Sequence, residues 1–233
     1  MGAPPHPGLE IAHRFFSGTG TSYNVVALLC TGGFDFYWKE RVLDKIPPRP
    51  RHVIDQACGT GILTFRIAAR FPSCRVTGVE LRSEYLEIAR RKARTLKERR
   101  VDFILGRAED ARVQGPVDCI TSSYLAKYAE RKTLIQNAKA MLRNRGVMIM
   151  HDFTYPSSRL FLAIWKAHFK ILRSLGSRVF PEWRTVFCEL PEFIRTSPWL
   201  ADTVRHLKEN EFSAIRAESL TLGASAIVTA TKP

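Results

Sequence analysis

The stretch Val53-Ile54-Asp55-Gln56-Ala57-Cys58-Gly59-Thr60-Gly61 constrains this chain more than any other. An apolar run ends in an acid, a small residue and a Gly-x-Gly turn, and a helix-forming segment follows at once. In an open α/β sheet this places a tight turn at the carboxyl end of a buried strand, where small residues let the backbone come close to a ligand. The next strand-like segment, residues 74–80, ends in Glu80. That acid lies about 20 residues past the turn, where a carboxylate accepts both hydroxyls of a ribose. A dinucleotide fingerprint wants glycine where Ala57 stands and a third glycine after Gly61, where this chain has Ile62, Leu63 and Thr64. The pyrophosphate cradle is incomplete, and a nucleoside ligand without phosphate fits better.

The alternation continues along the chain. Strand-like segments at 52–57, 74–80, 101–106, 117–123 and 146–153 are separated by helical patterns at 61–70, 83–98 and 130–143. Strands alternating with helices predict a parallel sheet covered on both faces. Before it, helices are expected at 23–30 and 36–45, stopped by Pro47, Pro48 and Pro50, and Pro4, Pro5 and Pro7 suggest a frayed start. The last third breaks the rhythm with helices at 157–176 and 197–210, then strands at 213–219 and 224–231 that suit a hairpin. The expected fold is α/β: a mostly parallel seven-stranded sheet ending in an antiparallel hairpin. Residues 1–50 form a helical cap, and 51–233 the main domain with a helical insertion at about 155–200.

Charge is the one unusual feature of the composition. The 36 Lys and Arg against 22 Asp and Glu leave +14, which favours phosphates, anionic headgroups or acidic substrates. The longest apolar runs, 25–30 and 160–165, fall far short of the roughly 18 residues that span a bilayer. With no signal-peptide pattern, the chain reads as cytoplasmic, at most peripheral on a membrane. Its 5 cysteines form no CxxC pair or metal spacing, so reduced thiols and no metal site are expected.

After the third strand comes Arg107-Ala108-Glu109-Asp110, where such sheets hold the edge of an adenine. With the glycine turn and Glu80, the sequence resembles a class I S-adenosylmethionine-dependent methyltransferase, whose Rossmann-like fold matches the pattern above. A narrower resemblance rests on Phe16, Tyr23-Asn24, Gly33, Trp38-Lys39, VIDQACGTG, DCIT and the terminal ESLTLGASAIVTATKP. Together these are similar to the ubiquinone/menaquinone biosynthesis C-methyltransferase family over nearly the whole chain. The resemblance implies S-adenosylmethionine as cofactor, with contacts from Tyr23, Lys39, Asp55, Ala57, Gly59, Gly61, Thr64, Glu80, Leu81, Arg107, Ala108, Glu109 and Ser123. It also implies an N-terminal segment that closes over the cofactor with Tyr23 on its inner face. The chain departs from the family at Ile62, where Asp is usual, and at Lys127-Tyr128, where Arg-Asn is usual.

The implied acceptor is a lipophilic quinol. Its ring carbon becomes nucleophilic when a neighbouring hydroxyl loses its proton, which calls for a base or a nearby cation. His151, Asp152, Lys127, Tyr124 and Tyr128 are the candidates at the carboxyl ends of strands, His151 and Asp152 as bases and Lys127 as a phenolate partner, with Tyr23 a further catalytic candidate. The helix at 157–176 carries Leu160, Phe161, Ile164, Trp165, Ile171, Leu172 and Leu175 beside Lys166, Lys170 and Arg173, as a lid or as a face for an anionic membrane surface. Other small-molecule acceptors, a phenol or an amine, are the alternative. A nucleic-acid acceptor is disfavoured, because Ser122-Ser123-Tyr124-Leu125 lacks the Asn/Asp-Pro-Pro-aromatic loop of base-amino methyltransferases.

Overall fold

The computed structural model describes residues 6–233, so the start expected to fray at Pro4 and Pro5 lies outside the described residues. Pro7 opens a helix instead. Helix α1 (Pro7–Phe16) has proline in its first turn, where no intrahelical donor is lost, and the His6 side chain accepts from the Gly8 N–H at 3.1 Å. Helices α2 (Tyr23–Cys30) and α3 (Asp35–Leu43) follow.

The sheet then builds through β1 (His52–Gln56), α4 (Ile62–Arg70), β2 (Arg75–Glu80), α5 (Ser83–Leu96), β3 (Val101–Leu105), β4 (Val117–Ser123), α6 (Arg131–Met141) and β5 (Leu142–Phe153). All five residues of β1 are buried, as a central parallel strand covered on both faces requires. Helix α5 buries Tyr85, Leu86 and Ala89 and turns most of its basic residues outward. Glu130 caps α6 by accepting from the Thr133 N–H at 2.8 Å.

Helix α7 (Arg159–Ile171) runs into a π-helical turn (Leu172–Gly176) and the single turn α8 (Ser177–Val179). Helix α9 (Arg184–Thr196) falls inside the helical insertion expected at about 155–200, although the sequence reading marks no separate helix there; it contains Pro191, and Val186, Phe187, Leu190 and Ile194 hold it on the core. After α10 (Trp199–Glu209), β6 (Ser213–Leu220) and β7 (Ser225–Thr231) close the chain as an antiparallel hairpin.

The sheet has seven strands in the order β3-β2-β1-β4-β5-β7-β6, with β7 antiparallel to β5. Order reverses between β1 and β4, whose registers pair Asp55 with Thr121 and Gln56 with Ser122. A crevice therefore opens at the carboxyl ends of these two strands, where open sheets bind ligands.

Candidate active site

The loop leaving β1 is built for close approach. Ala57, Gly59 and Gly61 all have positive φ, at 54°, 57° and 83°. A Cβ on Gly61 would meet the Phe65 ring at 2.5 Å, so this position holds glycine for space as well as conformation. Behind the turn, Asp55 accepts from Thr64 Oγ1 at 2.6 Å and from Thr121 Oγ1 at 3.0 Å. Burial pushes the Asp55 carboxyl up to about 6 against these two bonds. Asp55 and Thr64 thus brace the turn from behind, and Lys39 pairs with Asp35 on α3.

Glu80, ending β2, accepts from the Gly59 N–H at 2.9 Å and from the Arg82 N–H at 2.8 Å, one on each oxygen. The carboxylate is fixed in place, and each oxygen keeps a lone pair for a further donor. It borders a cavity of about 100 Å³ lined also by Phe16, Tyr23, Ala57, Gly59, Leu81 and Ser123. A second cavity of about 50 Å³ shares Ala57 and Leu81 and continues between Arg107, Ala108, Glu109 and residues His6, Leu9 and Ala12. Glu109 accepts from the Glu130 N–H at 3.0 Å, which ties this loop to the start of α6.

A third cavity of about 50 Å³ meets the first across Phe16, Tyr23, Tyr124 and Tyr128. Its other walls are mostly apolar, among them Val26, Phe153, Trp183 and Leu190, and its one charged lining residue is Lys127. Lys127 pairs with Asp152, both being buried, and Asp152 also accepts from the Lys127 N–H at 3.2 Å and the Phe153 N–H at 2.8 Å. Burial lowers the Lys127 ammonium from its usual value and Asp152 opposes that shift. The Lys127 Nζ lies 4.7 Å from the Tyr128 ring centre. Beyond Cys30, Thr31 and Phe153 a fourth cavity of about 150 Å³ runs out between Phe34, Phe161, Ile164 and His168.

Of the residues singled out in the sequence, Tyr23, Ala57, Gly59, Glu80, Leu81 and Ser123 line the first cavity and Arg107, Ala108 and Glu109 the second. Gly61, Asp55, Thr64 and Lys39 stand behind them. His151 lines none of these cavities. It is fully buried, with Nε2 2.7 Å from Ser225 Oγ and Nδ1 3.3 Å from Ser123 Oγ, and burial lowers its pKa well below the usual histidine value. The sequence reading expects a helical cap over residues 1–50 but marks no helix at Pro7–Phe16, because the prolines were read as fraying; Pro7 at the first helical position was the available signal. It also missed Arg82 and Tyr85, which no spacing rule singles out.

Cofactor fit follows from the geometry: glycines at positive φ leave the turn bare, and an anchored carboxylate faces the same cavity. A methyltransferase-domain family model matches residues 53–146. The chain is 25% identical over 228 residues to the mitochondrial 2-methoxy-6-polyprenyl-1,4-benzoquinol methylase of Caenorhabditis elegans, covering 95% of this chain and 79% of that protein. It is 26% identical over 225 residues to the ubiquinone/menaquinone biosynthesis C-methyltransferase of Paracoccus denitrificans, covering 93% and 88%. The demethylmenaquinone methyltransferase of Thermus thermophilus matches at 25% identity over 94% of this chain and its own whole length, 100%. Among solved structures, a geranyl diphosphate methyltransferase in complex with S-adenosylmethionine superposes with TM-score 0.61 at 17% identity, covering 96% and 95%. The methyltransferase SibL gives TM-score 0.60 at 17% identity, with this chain spanning 57% of that one.

Proposed function

Because the chain is a class I S-adenosylmethionine-dependent methyltransferase, we propose that it transfers the methyl group to a ring carbon of a demethylated isoprenoid quinol. One observation carries this reading. An aromatic, apolar cavity adjoins the cofactor cavity, holds one charged lining residue, Lys127, and continues through a fourth cavity toward an exposed apolar surface. A polar ring bearing a long apolar tail has that shape. The quinone methylases among its relatives support the same acceptor.

In this reading the bound cofactor supplies a methyl group already activated on a sulfonium sulfur. Glu80 accepts the ribose hydroxyls, the Ala57–Gly61 turn faces the amino-acid portion, and the Arg107–Glu109 loop borders the adenine. The segment up to residue 50 acts as the cap, with Tyr23 between donor and acceptor. Lys127 offers its ammonium to a ring oxygen as that oxygen becomes anionic, while Asp152 holds the ammonium in place. His151 acts indirectly, by orienting Ser123 and packing 5.1 Å from the Tyr124 ring centre. Positioning the two reactants supplies much of the acceleration.

The acceptor lives in lipid, and the surface suits that. Leu160, Ile164, Ile171 and Leu175 are 54–76% exposed along α7 and the following turn, while Trp165, Phe169 and Leu172 face inward. Val25, Leu28 and Leu29 of α2 are exposed nearby, His168 touching the Leu29 carbonyl at 2.8 Å. We infer peripheral attachment to an anionic bilayer through this patch and its flanking Lys166, Lys170 and Arg173.

The deciding assay offers labelled cofactor with reduced demethylated quinol, soluble phenols and amines, and total RNA in parallel. Label on the quinol ring is expected. Transfer only to an amine or to RNA would overturn the acceptor.

A further inference from the structure

The acceptor cavity has three tyrosines, a threonine, a cysteine and a lysine among its polar lining residues, but no carboxylate. A ring hydroxyl placed there meets no direct acid–base partner of ordinary carboxylate strength, and the Lys127 ammonium, paired with Asp152, can donate to a ring oxygen but cannot take up its proton. Tyr124 supplies a way out. Its phenol donates to Asp35 Oδ1 at 2.7 Å, and Asp35, in the first turn of α3, pairs with the buried Lys39.

Tyr124 is held from several sides. Its ring stacks on Phe153 with centres 4.7 Å apart and planes 19° apart, and the Lys39 Nζ stands 4.8 Å from the ring centre. Its backbone lies in the left-handed region at φ 64°, a conformation a bulky aromatic residue adopts only when its surroundings impose it. Strain of this kind gathers where a side chain must be aimed, and Tyr124 borders both the cofactor and the acceptor cavities. Burial, with the charge of Asp35, raises the phenol well above its usual value. The hydroxyl therefore keeps its proton, donates to Asp35, and retains lone pairs to accept from a hydroxyl in the cavity.

We propose that Tyr124 and Asp35 form a proton relay that ionises the acceptor hydroxyl. This rests on the hydroxyl-bearing ring acceptor inferred above. The acceptor O–H proton passes to Tyr124 Oη as the tyrosine's own proton passes to Asp35, leaving a phenolate in the cavity and a neutral Asp35. The ring carbon then bonds to the methyl group, and the electron pair of the broken S–C bond stays on sulfur. As the ring carbon releases its hydrogen as a proton to solvent, the proton on Asp35 returns through Tyr124 to the ring oxygen. One proton leaves overall, matching the sulfonium charge that disappears.

Tyr124→Phe removes one oxygen and keeps the stacked ring. It should lower kcat about 100-fold, the usual scale for losing proton transfer, with S-adenosylhomocysteine affinity changed less than about twofold. Asp35→Asn should do the same, and the double variant should lose no more than either single one, since the two act as a unit. The loss should shrink by about tenfold per pH unit as the acceptor ionises by itself. The charged groups around Tyr124 are Asp35 and Lys39 from α3, Lys127, and Asp152 of β5, with neutral His151 and Tyr23 completing its surroundings. Should Asp35→Asn fail to fold, the pH profile of Tyr124→Phe decides alone. Near-normal turnover of Tyr124→Phe, losses that multiply, or a pH-independent defect would overturn the relay. Wild-type transfer to a soluble phenol but not to the quinol would sink the quinol reading and leave the relay to be judged on that phenol. Transfer only to an acceptor without a hydroxyl would sink both.

Discussion

Glu80 shows how a single side chain ties sequence to function. Its two oxygens hold the Gly59 and Arg82 N–H groups, so the carboxylate is aimed before any ligand arrives. Glu80→Ala should weaken S-adenosylhomocysteine binding by about 1.5–3 kcal/mol, read by calorimetry, as for hydrogen bonds to a charged group. Asp55 makes a different prediction. Burial raises its pKa from 3.8 to about 6, so this group favours the folded state fully below about pH 4, and that contribution is lost as pH rises through 6. Across that window the change is about 3 kcal/mol. Urea unfolding of wild type and Asp55→Asn between pH 4 and 7 should show the wild type gaining on the variant as the solution is acidified. The turn and Glu80 were legible in the sequence because strand, turn and acid follow each other at fixed spacing. The Tyr124–Asp35 bond was not, since 89 residues separate its partners and only the packing of α3 against the end of β4 brings them together.

Helix α1 matters more than its place at the edge of the chain suggests. It supplies Ala12 and Phe16 to the first cavity and Leu9 to the second, and it meets the loop after β4 without a side chain between. A Cβ on Gly8 would sit 2.0 Å from the Tyr128 carbonyl oxygen, so Gly8→Ala must lift the helix. Overpacking of this kind costs about 1–3 kcal/mol. The expected result is weaker S-adenosylhomocysteine binding and faster proteolysis around residues 17–22, with the unfolding of the sheet little changed. The alternating strands and helices were readable because each has a clean period. Helix α1 went unmarked because the prolines before it read as fraying, although Pro7 suits a first helical position, while in α9 the burial of Val186, Phe187, Leu190 and Ile194 outweighs Pro191. The strand expected at 146–153 also begins earlier, at Leu142, which pairs with Val117 of β4 ahead of an irregularity that ends where Val147 pairs with Cys119.

At the scale of the whole molecule, the mostly parallel sheet and its antiparallel closing hairpin were legible in the alternation of strands and helices, whereas the strand order and the split of α7 into a buried and an exposed face needed the fold. Among the described residues no helix is long and apolar enough to cross a membrane. Attachment through the exposed face of α7 would then depend on charge. Replacing Lys166, Lys170 and Arg173 by Glu should reduce sedimentation with anionic vesicles by at least about 1 kcal/mol per residue, and added salt should weaken the wild type similarly. The small cavities have a consequence in time. At about 100 and 50 Å³ they lie well under the ~300 Å³ at which ligand pockets begin, so in the proposed reading a nucleoside bound there needs their walls to part, and α1, which lines both, is the element expected to swing out. The contacts it breaks are Arg14 with Glu189, Arg82 with His13 and Ser17, and the Phe15 and Phe16 rings against Tyr128. In stopped-flow mixing the observed binding rate should stop rising at high S-adenosylhomocysteine concentration and settle at the opening rate of the helix, on the microsecond-to-millisecond scale of lids. A first turnover faster than those that follow, with the later ones settling at that same opening rate, would mean that this ten-residue helix, and not the methyl transfer, keeps the clock.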